Sequence, residues 1–148
     1  MTKHVIYFSR THTSKRIAEK LAGEFKCPVS EITDDQKWSG IFGYIKAGYY
    51  ASADKPVSVC YDPQALEADQ VIIVSPLWAG GPAPAIRTLL RQEPGLIPHL
   101  VLTNDGSDIH KAFKRTQTLF PRIKDLYGIT KKMNHEDDMI QRIVHSLQ

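Results

Sequence analysis

Polar side chains that suit an anion follow the first apolar run of the chain. Residues 5–8 form that run, and the next six residues are Ser9, Arg10, Thr11, His12, Thr13 and Ser14. An amphipathic helix pattern begins just past this segment, which places it at a helix N-terminus, where unpaired backbone N–H groups and the helix dipole favour negative charge. The residues therefore predict a loop that binds phosphate. The alternative is that Thr13 or Ser14 only caps the helix and the other side chains face water.

A different kind of segment follows the apolar run at residues 71–74. It consists of Ser75, Pro76, Leu77, Trp78, Ala79, Gly80, Gly81 and Pro82. The flat apolar ring of Trp78 would gain about 0.5–1.5 kcal/mol beyond simple burial by packing on a planar ring. The small residues 79–81 would let the backbone lie along the edge of that ring. The alternative is that Trp78 is a half-buried aromatic residue at the end of a strand.

The two segments are expected to lie together. Both follow runs that read as buried strands, and in an open parallel sheet the carboxyl ends of neighbouring strands form the crevice in which ligands bind. Neither segment contains the G-K-[S/T] of a P-loop or the G-x-G-x-x-G of a dinucleotide loop, which favours a mononucleotide. A phosphate at one segment and an aromatic ring at the other indicate flavin mononucleotide (FMN) as the leading candidate ligand.

Short runs rich in branched apolar residues are predicted as strands. They cover residues 5–8, 29–32, 71–74, 100–103 and, less strongly, 126–130. The first, third and fourth runs lack a period-two alternation, which is typical of strands that helices cover on both faces. Gly128 dilutes the fifth run, which favours an edge position in the sheet.

Helical patterns separate these runs. One begins just past Ser14 and fades near Lys26, one begins between Pro82 and Pro84, one follows Ser107, and the last begins near Asn134. The alternation predicts a three-layer α/β/α fold with a doubly wound, five-stranded parallel sheet and right-handed crossovers. We expect a single domain over residues 1–148, because this length fits one domain.

The segment between the second and third predicted strands is longer than a usual crossover. Its apolar residues at helical spacing are Trp38, Ile41, Phe42, Ile45 and Tyr49. This spacing predicts a crossover helix that packs its aromatic residues onto the sheet. The alternative is a partner or homodimer surface that uses Tyr44, Tyr49 and Tyr50.

These segments resemble those of the flavodoxin family. Residues 7–14 are similar to the flavodoxin phosphate loop, a strand followed by S/T-x-T-G-x-T, and the helix start at residues 16–18 is similar as well. Residues 69–80 and 82–86 resemble the second flavin loop with the strand that enters it, and residues 41–49 resemble a segment of flavodoxin-family proteins of this size. The resemblance spans essentially the whole chain and implies a flavodoxin-like sheet with the strand order 2-1-3-4-5.

The resemblance also implies a cofactor and the residues that bind it. FMN would be held by Ser9, Arg10, Thr11, His12, Thr13, Ser14, Pro76, Leu77, Trp78, Ala79, Gly80, Gly81, Asn104, Asp105 and Gly106. In the family, peptide groups of the second loop hydrogen-bond the flavin N5 region, which points to the peptide between Gly80 and Gly81. The third loop, residues 103–107, matches by position only, and an ordinary turn between a strand and a helix is the alternative there.

One residue departs from the family pattern. His12 stands where the phosphate loop usually has glycine, a residue that lets the backbone approach the phosphate and adopt a positive φ. Histidine tolerates a positive φ better than most non-glycine residues, at a strain of about 1 kcal/mol. His12 would then either donate to the phosphate or be an exposed loop residue that contacts nothing.

Charge, apolar runs and cysteines limit the partners and the location that we expect for this chain. The 19 basic and 16 acidic residues are interspersed and give a net charge of +3, which argues only weakly for nucleic acid as a partner. No apolar run approaches the roughly 18 residues of a membrane span and no secretory segment precedes the first strand, so a cytoplasmic location is expected. Cys27 and Cys60 match no metal or redox motif and are expected to be buried thiols.

Three functions remain open at this stage. The first is an FMN-dependent oxidoreductase that passes electrons from a reduced nicotinamide or another donor to a quinone-like or protein acceptor. The second is a flavodoxin-type electron carrier, and the third is a cofactor-free interaction module. No catalytic acid or base has to be invoked, because a flavin would supply the electron chemistry. Carriers tend to be strongly acidic around the flavin, whereas the basic residues near the predicted loops here favour the oxidoreductase or a carrier with an acidic partner. Those residues are Arg10, His12, Arg87 and Lys111.

Overall fold

Parallel strands separated by helices form the framework of the computed structural model, which describes residues 1–53, 55–104, 109–130 and 133–148. The strands are β1 (Lys3–Tyr7), β2 (Val29–Glu31), β3 (Thr33–Asp34), β4 (Val59–Cys60), β5 (Gln70–Trp78), β6 (Gly81–Pro82), β7 (His99–Asn104) and β8 (Asp125–Thr130). The helices are α1 (Thr13–Phe25), α2 (Gly40–Ser52), α3 (Pro84–Gln92), α4 (Ile109–Leu119) and α5 (Met133–Leu147), and a 3₁₀ helix covers Pro63–Glu67.

The main sheet is parallel and runs in the order β2-β1-β5-β7-β8. This is the predicted order 2-1-3-4-5, because β5, β7 and β8 are the third, fourth and fifth of the predicted strands. β6 adds antiparallel to the end of β5, and β3 pairs with β4 in a separate ribbon. The register places Tyr7 opposite Val74 and Pro76 opposite Thr103, so the carboxyl ends of β1, β5 and β7 reach the same edge of the sheet.

Helices cover both faces of this sheet, as predicted for a doubly wound fold. On one face, Ile17 and Leu21 of α1 pack with Ile143 of α5. On the other face, Ile86 and Leu89 of α3 pack against the sheet. Because the central strands are buried on both sides, they carry apolar residues at successive positions, which explains the missing alternation in their sequence.

The other predicted elements lie close to their predicted places. α4 and α5 follow the fourth and fifth of the main strands along the chain, and β8 occupies an edge of the sheet, as Gly128 indicated. Within the ranges given above, none of the helices is long and apolar enough to cross a lipid bilayer.

The third predicted strand is longer than its apolar run. β5 continues through residues 75–76, which pair in parallel with β7, and residues 77–78 pair antiparallel with residues 81–82. Only residues 79–80 remain as a turn. The predicted end of this strand at residue 74 was therefore too early, because the returning chain supplies backbone partners that the sequence pattern did not reveal.

Helix α2 presents its large apolar residues to solvent. Ile41, Phe42, Ile45 and Tyr49 are each at least 60% exposed. Trp38 is buried, but it precedes the helix. The prediction that this helix packs its aromatic residues onto the sheet was therefore wrong for Phe42 and Tyr49, and the two isoleucines point outward as well.

Small residues on the inner side of α2 explain this orientation. Ala47 and Ala51 are buried, and a Cβ at Gly43 would collide with the backbone of Trp38. The helix can approach the protein this closely only on a face that lacks large side chains. The large apolar residues lie on the opposite side of the helical cycle and therefore point outward.

The two cysteines are less buried than the sequence indicated. Cys60 is exposed and Cys27 is half-buried, and neither forms a disulfide. Cys60 lies on β4, which pairs only with β3 in the ribbon outside the main sheet. The expectation of two buried thiols was therefore wrong for Cys60, because this short strand is not part of the covered sheet, and Cys27 is only partly buried, at the edge of the core between α1 and β2.

Candidate functional site

A cavity of about 400 Å³ opens at the carboxyl edge of β1, β5 and β7. This volume is within the range of about 300–1,000 Å³ that is typical of small-molecule sites. The cavity is lined by Ser9, Arg10, Thr11, Thr13, Ser14, Tyr44, Ala47, Gly48, Pro76, Leu77, Trp78, Ala79, Thr103 and Asn104. Of the predicted binding residues, His12, Gly80 and Gly81 lie outside this lining. Asp105 and Gly106 lie outside the described residues, so of the third loop the structure brings only Asn104 to the cavity.

The lining combines two kinds of side chain. Hydroxyl groups come from the segment at residues 9–14, whereas Leu77, Trp78 and Tyr44 are apolar or aromatic. Among the described lining residues, Arg10 carries the only formal charge. The arrangement suits a ligand that has an anionic or hydroxyl-rich part and a flat apolar part.

The first segment enters α1 through an unusual backbone conformation. His12 is the N-cap residue of α1, with φ 65° and ψ −2°, and its side chain makes no capping hydrogen bond. Its carbonyl accepts the first helical hydrogen bond from Arg16 N–H over 2.9 Å. His12 thus adopts the left-handed conformation for which the family pattern has glycine, at a cost of about 1 kcal/mol or more. Its backbone shapes the loop, while its exposed side chain does not line the cavity.

Two serines of this segment differ in their partners. The Ser14 hydroxyl is buried and lies 3.0 Å from the Thr103 hydroxyl, which ties the start of α1 to the end of β7. The Ser9 hydroxyl is also inaccessible to solvent, but it has no hydrogen-bond partner among the described residues. A buried polar group without a partner costs about 1–3 kcal/mol, so a ligand that bonds to it would recover this free energy.

Arg10 connects the first segment to the start of α2. Its Nε donates to the carbonyl oxygen of Trp38, and its Nη2 donates to Gly40 O over 3.4 Å. Its guanidinium carbon lies 5.8 Å from the centre of the Tyr44 ring, within the range of a cation–π contact. Arg10 therefore holds α2, and Tyr44 with it, against the cavity.

The second segment is a tight hairpin. Its turn residues Ala79 and Gly80 have φ angles of 49° and 81°. The buried Ser75 hydroxyl accepts a hydrogen bond from Ala83 N–H over 2.9 Å, which fixes the chain where it leaves the hairpin. Arg115 of α4 donates from Nη1 to Ala79 O over 2.9 Å on the outer side. The Ser75 and Arg115 side chains thus hold the hairpin by hydrogen bonds on two sides.

Arg87 fastens the hairpin from the inside. Its side chain is 1% exposed. Its Nε donates to Pro82 O over 2.8 Å, its Nη1 to Ala51 O over 3.0 Å, and its Nη2 to Trp78 O over 3.4 Å. A Cβ at Gly81 would lie only 2.7 Å from Arg87 Nη2, so a larger residue there would displace the guanidinium from this position.

This burial corrects one expectation from the sequence. Arg87 was expected among the basic residues near the loops that would favour an acidic partner, but a buried guanidinium bonded to carbonyl groups presents no charge to a partner. Sequence reasoning missed its structural role because an arginine in a helix usually reads as a solvated residue. The only available signal was its position in an otherwise apolar stretch of α3, in which the residues from Pro84 to Leu90 are all buried.

Trp78 belongs to a cluster of aromatic rings. Its ring meets Phe8 at 5.6 Å and 84° and Trp38 at 5.3 Å and 69°, both edge-to-face arrangements. The Trp38 indole N–H donates to the Asp34 carboxylate over 2.8 Å. Burial raises the pKa of Asp34, against the hydrogen bonds from Gln36 N–H and the Trp38 indole, which lower it. The neighbouring rings fix the orientation of Trp78 at the cavity wall.

Ion pairs hold the first turns of α1 against α5. Arg16 Nη2 lies 2.6 Å from Glu136 Oε2, and Lys20 Nζ lies 3.2 Å from Glu136 Oε1. The hydrogen bond from Arg16 lowers the pKa of the Glu136 carboxyl, and the bond from Lys20 adds to this effect. The helix that follows the first segment is therefore anchored to α5.

Solved structures of flavoproteins are similar to this chain over most of its length. A protein from Bacteroides eggerthii DSM 20697 assigned as a flavoprotein has a TM-score of 0.79 and 18% identity, over 98% of this chain and 96% of that one. A flavoprotein from Lactobacillus acidophilus NCFM in complex with FMN has a TM-score of 0.70 and 20% identity, over 93% of this chain and 97% of that one. A flavodoxin from the domain Archaea has a TM-score of 0.52 and 13% identity, over 98% and 95%.

Neither the protein-family models nor the curated protein sequences give a match to the chain. The structural likeness, together with the strand order, decides the architecture. This chain has the flavodoxin-like fold. In this flavodoxin-like fold the cavity lies outside the carboxyl ends of the parallel strands, at the switch point between β1 and β5, where open α/β sheets bind their ligands.

Several residues that line the cavity of this flavodoxin-like fold were not predicted from the sequence. Tyr44, Ala47 and Gly48 come from α2, and Thr103, which the sequence placed in the third loop but not among the binding residues, is the last buried residue of β7. The resemblance of residues 41–49 to a flavodoxin-family segment was the one signal for the α2 residues. It did not reveal their role, because the direction of the helix face depends on how closely α2 packs.

Proposed function

We propose that this chain binds FMN in the cavity and functions as a redox protein. The observation that carries the proposal is the segment at residues 9–14, which enters α1 through the positive φ of His12 and leaves the buried Ser9 hydroxyl without a partner among the described residues. The cavity beside it has the size of a small-molecule site. One of the similar solved structures is a complex with FMN.

The chain's residues fit the parts of this cofactor. The hydroxyls of Ser9, Thr11 and Thr13 and the N–H groups at the start of α1 would hold the phosphate. Trp78 would cover the ring, and the peptide between residues 79 and 80 would meet its edge. This peptide replaces the one between residues 80 and 81, because Ala79 lines the cavity whereas the two glycines do not. The bound cofactor would supply electron transfer, and the protein would bind and orient it.

A titration with FMN and with riboflavin tests this proposal. Protein freed of small molecules by unfolding and refolding is titrated while flavin fluorescence is followed. We expect FMN to bind at least about tenfold more tightly than riboflavin, because charge-assisted hydrogen bonds to the phosphate contribute about 1.5–3 kcal/mol. Equal affinities would contradict the phosphate assignment. Binding of neither flavin would overturn the proposal and leave the cofactor-free interaction module.

We further propose that electrons pass from a reduced nicotinamide to a quinone-like acceptor. The cavity supports this, because Tyr44 extends its lining onto an exposed apolar helix surface on which an apolar acceptor could approach. The net reaction converts NAD(P)H, a proton and a quinone into NAD(P)⁺ and a hydroquinone. The test is steady-state NAD(P)H oxidation by the FMN-loaded protein with and without a soluble quinone. Flavin binding without such turnover would instead assign the function of an electron carrier.

A further inference from the structure

The solvent-facing half of α2 is apolar. Ile41, Phe42, Tyr44, Ile45 and Tyr49 are between 60% and 88% exposed. On a regular helix these positions span an arc of about 160°. A surface helix normally turns charged and polar residues outward, and a contiguous exposed apolar face marks a surface that another molecule covers.

Basic groups border this apolar face. The guanidinium of Arg10 lies 5.8 Å from the Tyr44 ring, and Lys55 Nζ lies 5.6 Å from the Tyr49 ring, near the opposite end of the helix. Lys46 Nζ lies along the side, 5.7 Å from the Tyr50 ring. The sequence of α2 itself contains no acidic residue. The surface that covers the face must therefore tolerate or prefer positive charge at its margin.

A second copy of the chain meets this requirement poorly. A two-fold contact through α2 places the same patch of both copies face to face. The basic borders around Arg10, Lys46 and Lys55 would then approach each other, and like charges across an interface reduce its stability. Charge therefore favours an anionic partner over self-association.

We propose that this face of α2 docks on the surface of an anionic lipid bilayer. The residues at the crest of the face, Ile41 and Ile45, have no polar atoms in their side chains and suit the acyl region. Tyr44 and Tyr49 lie on either side and suit the headgroup level, where tyrosine is enriched. Lysine and arginine at the margin would contact anionic headgroups. An apolar crest bordered by tyrosines and basic groups is the pattern of a surface that lies in the plane of a membrane interface.

The docked orientation would bring the cavity to the bilayer. Tyr44, Ala47 and Gly48 belong to α2 and also line the cavity. A lipid-soluble quinone could then reach the cavity without crossing bulk water. This link to electron transfer rests on the proposed function, whereas the docking itself requires only the helix and its basic border.

Vesicle sedimentation tests the docking. Protein without added flavin is mixed with vesicles of phosphatidylcholine alone, or of equimolar phosphatidylcholine and phosphatidylglycerol, and the bound fraction is measured after centrifugation. We expect binding to the anionic vesicles that weakens with added salt, and much weaker binding to the neutral ones. Wild-type protein that stays in the supernatant with both kinds of vesicle would overturn the proposal.

Substitutions at exposed positions locate the contact. Phe42→Ser and Ile45→Ser should each lower the partition coefficient by about tenfold, because each removes an apolar side chain from the lipid contact. Ile97→Ser is the matched control, since Ile97 is 62% exposed but lies outside α2, and it should leave binding unchanged. Lys55→Gln should reduce binding by about fivefold, and Lys114→Gln on α4, also exposed, should have little effect.

Two further outcomes decide between occupants of this face. If Phe42→Ser and Ile97→Ser bind vesicles equally well, the assignment of the contact to α2 is wrong. If light scattering shows a dimer that Phe42→Ser dissociates, and vesicles do not bind, the face belongs to a second copy. Because no flavin is added, a failure to bind FMN leaves these results intact, and a failure to bind vesicles leaves the flavin titration intact.

Discussion

The two segments that meet at the cavity are held in opposite ways. The hairpin turn at residues 79–80 is fastened by Arg87 from inside and by Arg115 from outside. The segment at residues 9–14 has weaker local support at its polar groups. The Ser9 hydroxyl has no partner in the described part of the chain, and the His12 side chain makes no capping bond.

This difference shows which part of the site is scaffold and which part is reserved for a ligand. A wall that orients a planar ring must be rigid before the ligand arrives, and the bonds of Arg87 to backbone carbonyls provide that rigidity. Groups that recognise an anion must keep their hydrogen-bonding capacity free, and the protein accepts some strain and an unsatisfied hydroxyl for it. The substitutions below test this division, beginning with the scaffold.

Arg87→Leu should have the largest effect. The substitution leaves the carbonyl groups of Ala51, Trp78 and Pro82 without their donor in a buried site. We expect the free energy of unfolding to fall by about 3 kcal/mol or more, because each buried unsatisfied group costs about 1–3 kcal/mol. Urea denaturation followed by circular dichroism measures this change.

Arg142→Leu is the matched control for this substitution. Arg142 is exposed on α5, so its replacement should change the free energy of unfolding by no more than about 0.5 kcal/mol. If Arg87→Leu were as mild as Arg142→Leu, the hairpin would not depend on the buried guanidinium. The hairpin turn would then be no more firmly held than the segment at residues 9–14.

Trp78→Ala should have the second largest effect, on FMN affinity. The indole would contribute both buried area and stacking to the bound ring, so we expect the dissociation constant to rise by about 30-fold. Trp78→Phe keeps an aromatic ring and should raise it by only about threefold. Fluorescence titration measures both variants. Unchanged affinity in Trp78→Ala would leave Trp78 as a packing partner of Phe8 and Trp38 alone.

Ser9→Ala should weaken FMN binding without lowering the free energy of unfolding. Since the Ser9 hydroxyl is buried without a partner in the described structure, its removal should leave the free energy of unfolding unchanged or raise it by up to about 1 kcal/mol. FMN affinity should fall by about tenfold, because a hydrogen bond to the phosphate is lost. The measurements are urea denaturation and flavin titration of the same preparation.

Ser14→Ala is the counterpart within the same segment. The Ser14 hydroxyl already bonds to Thr103, so its loss should lower the free energy of unfolding by about 1 kcal/mol. If both serine variants lost the same stability and the same affinity, the two hydroxyls would not differ in role. The first segment would then have no group reserved for a ligand.

The sequence predicted the parts of the fold that follow from local pattern. Unalternating apolar runs identified β1, β5 and β7, and the glycine at position 128 identified β8 as an edge strand, because burial on two faces dictates composition residue by residue. The amphipathic pattern of α1 was equally informative. The hydroxyl-rich segment between β1 and α1 stands out for the same reason, since its polar residues are adjacent in the sequence, and its role in binding phosphate stays a prediction.

The features that escaped prediction depend on contacts between distant parts of the chain. The extension of β5 requires its pairing with β6 and β7, and the buried role of Arg87 requires carbonyl groups from both the hairpin and α2. The outward face of α2 follows from the close approach of Gly43 to Trp38. Periodicity predicts that a helix has an apolar face, but it does not tell whether the protein or a partner covers that face.

Acid pH should distinguish the ion pair that anchors α1 from the buried arginine that holds the hairpin. We expect this effect to be smaller than those of the Arg87, Trp78 and serine substitutions. Glu136 Oε2 lies 2.6 Å from Arg16 Nη2, and this hydrogen bond lowers the pKa of the Glu136 carboxyl from the ordinary 4.5. The ion pair therefore stabilises the fold fully above pH 4.5. This stabilisation is lost as the pH falls through the lowered pKa. Glu136→Gln should therefore lower the free energy of unfolding by about 1 kcal/mol at neutral pH, and this loss should shrink as the pH falls through the lowered pKa. The loss in Arg87→Leu should persist into acid, because the carbonyl partners of Arg87 do not titrate. Urea denaturation of both variants across this pH range measures the difference, and a Glu136→Gln loss that did not change with pH would show that the ion pair does not anchor α1.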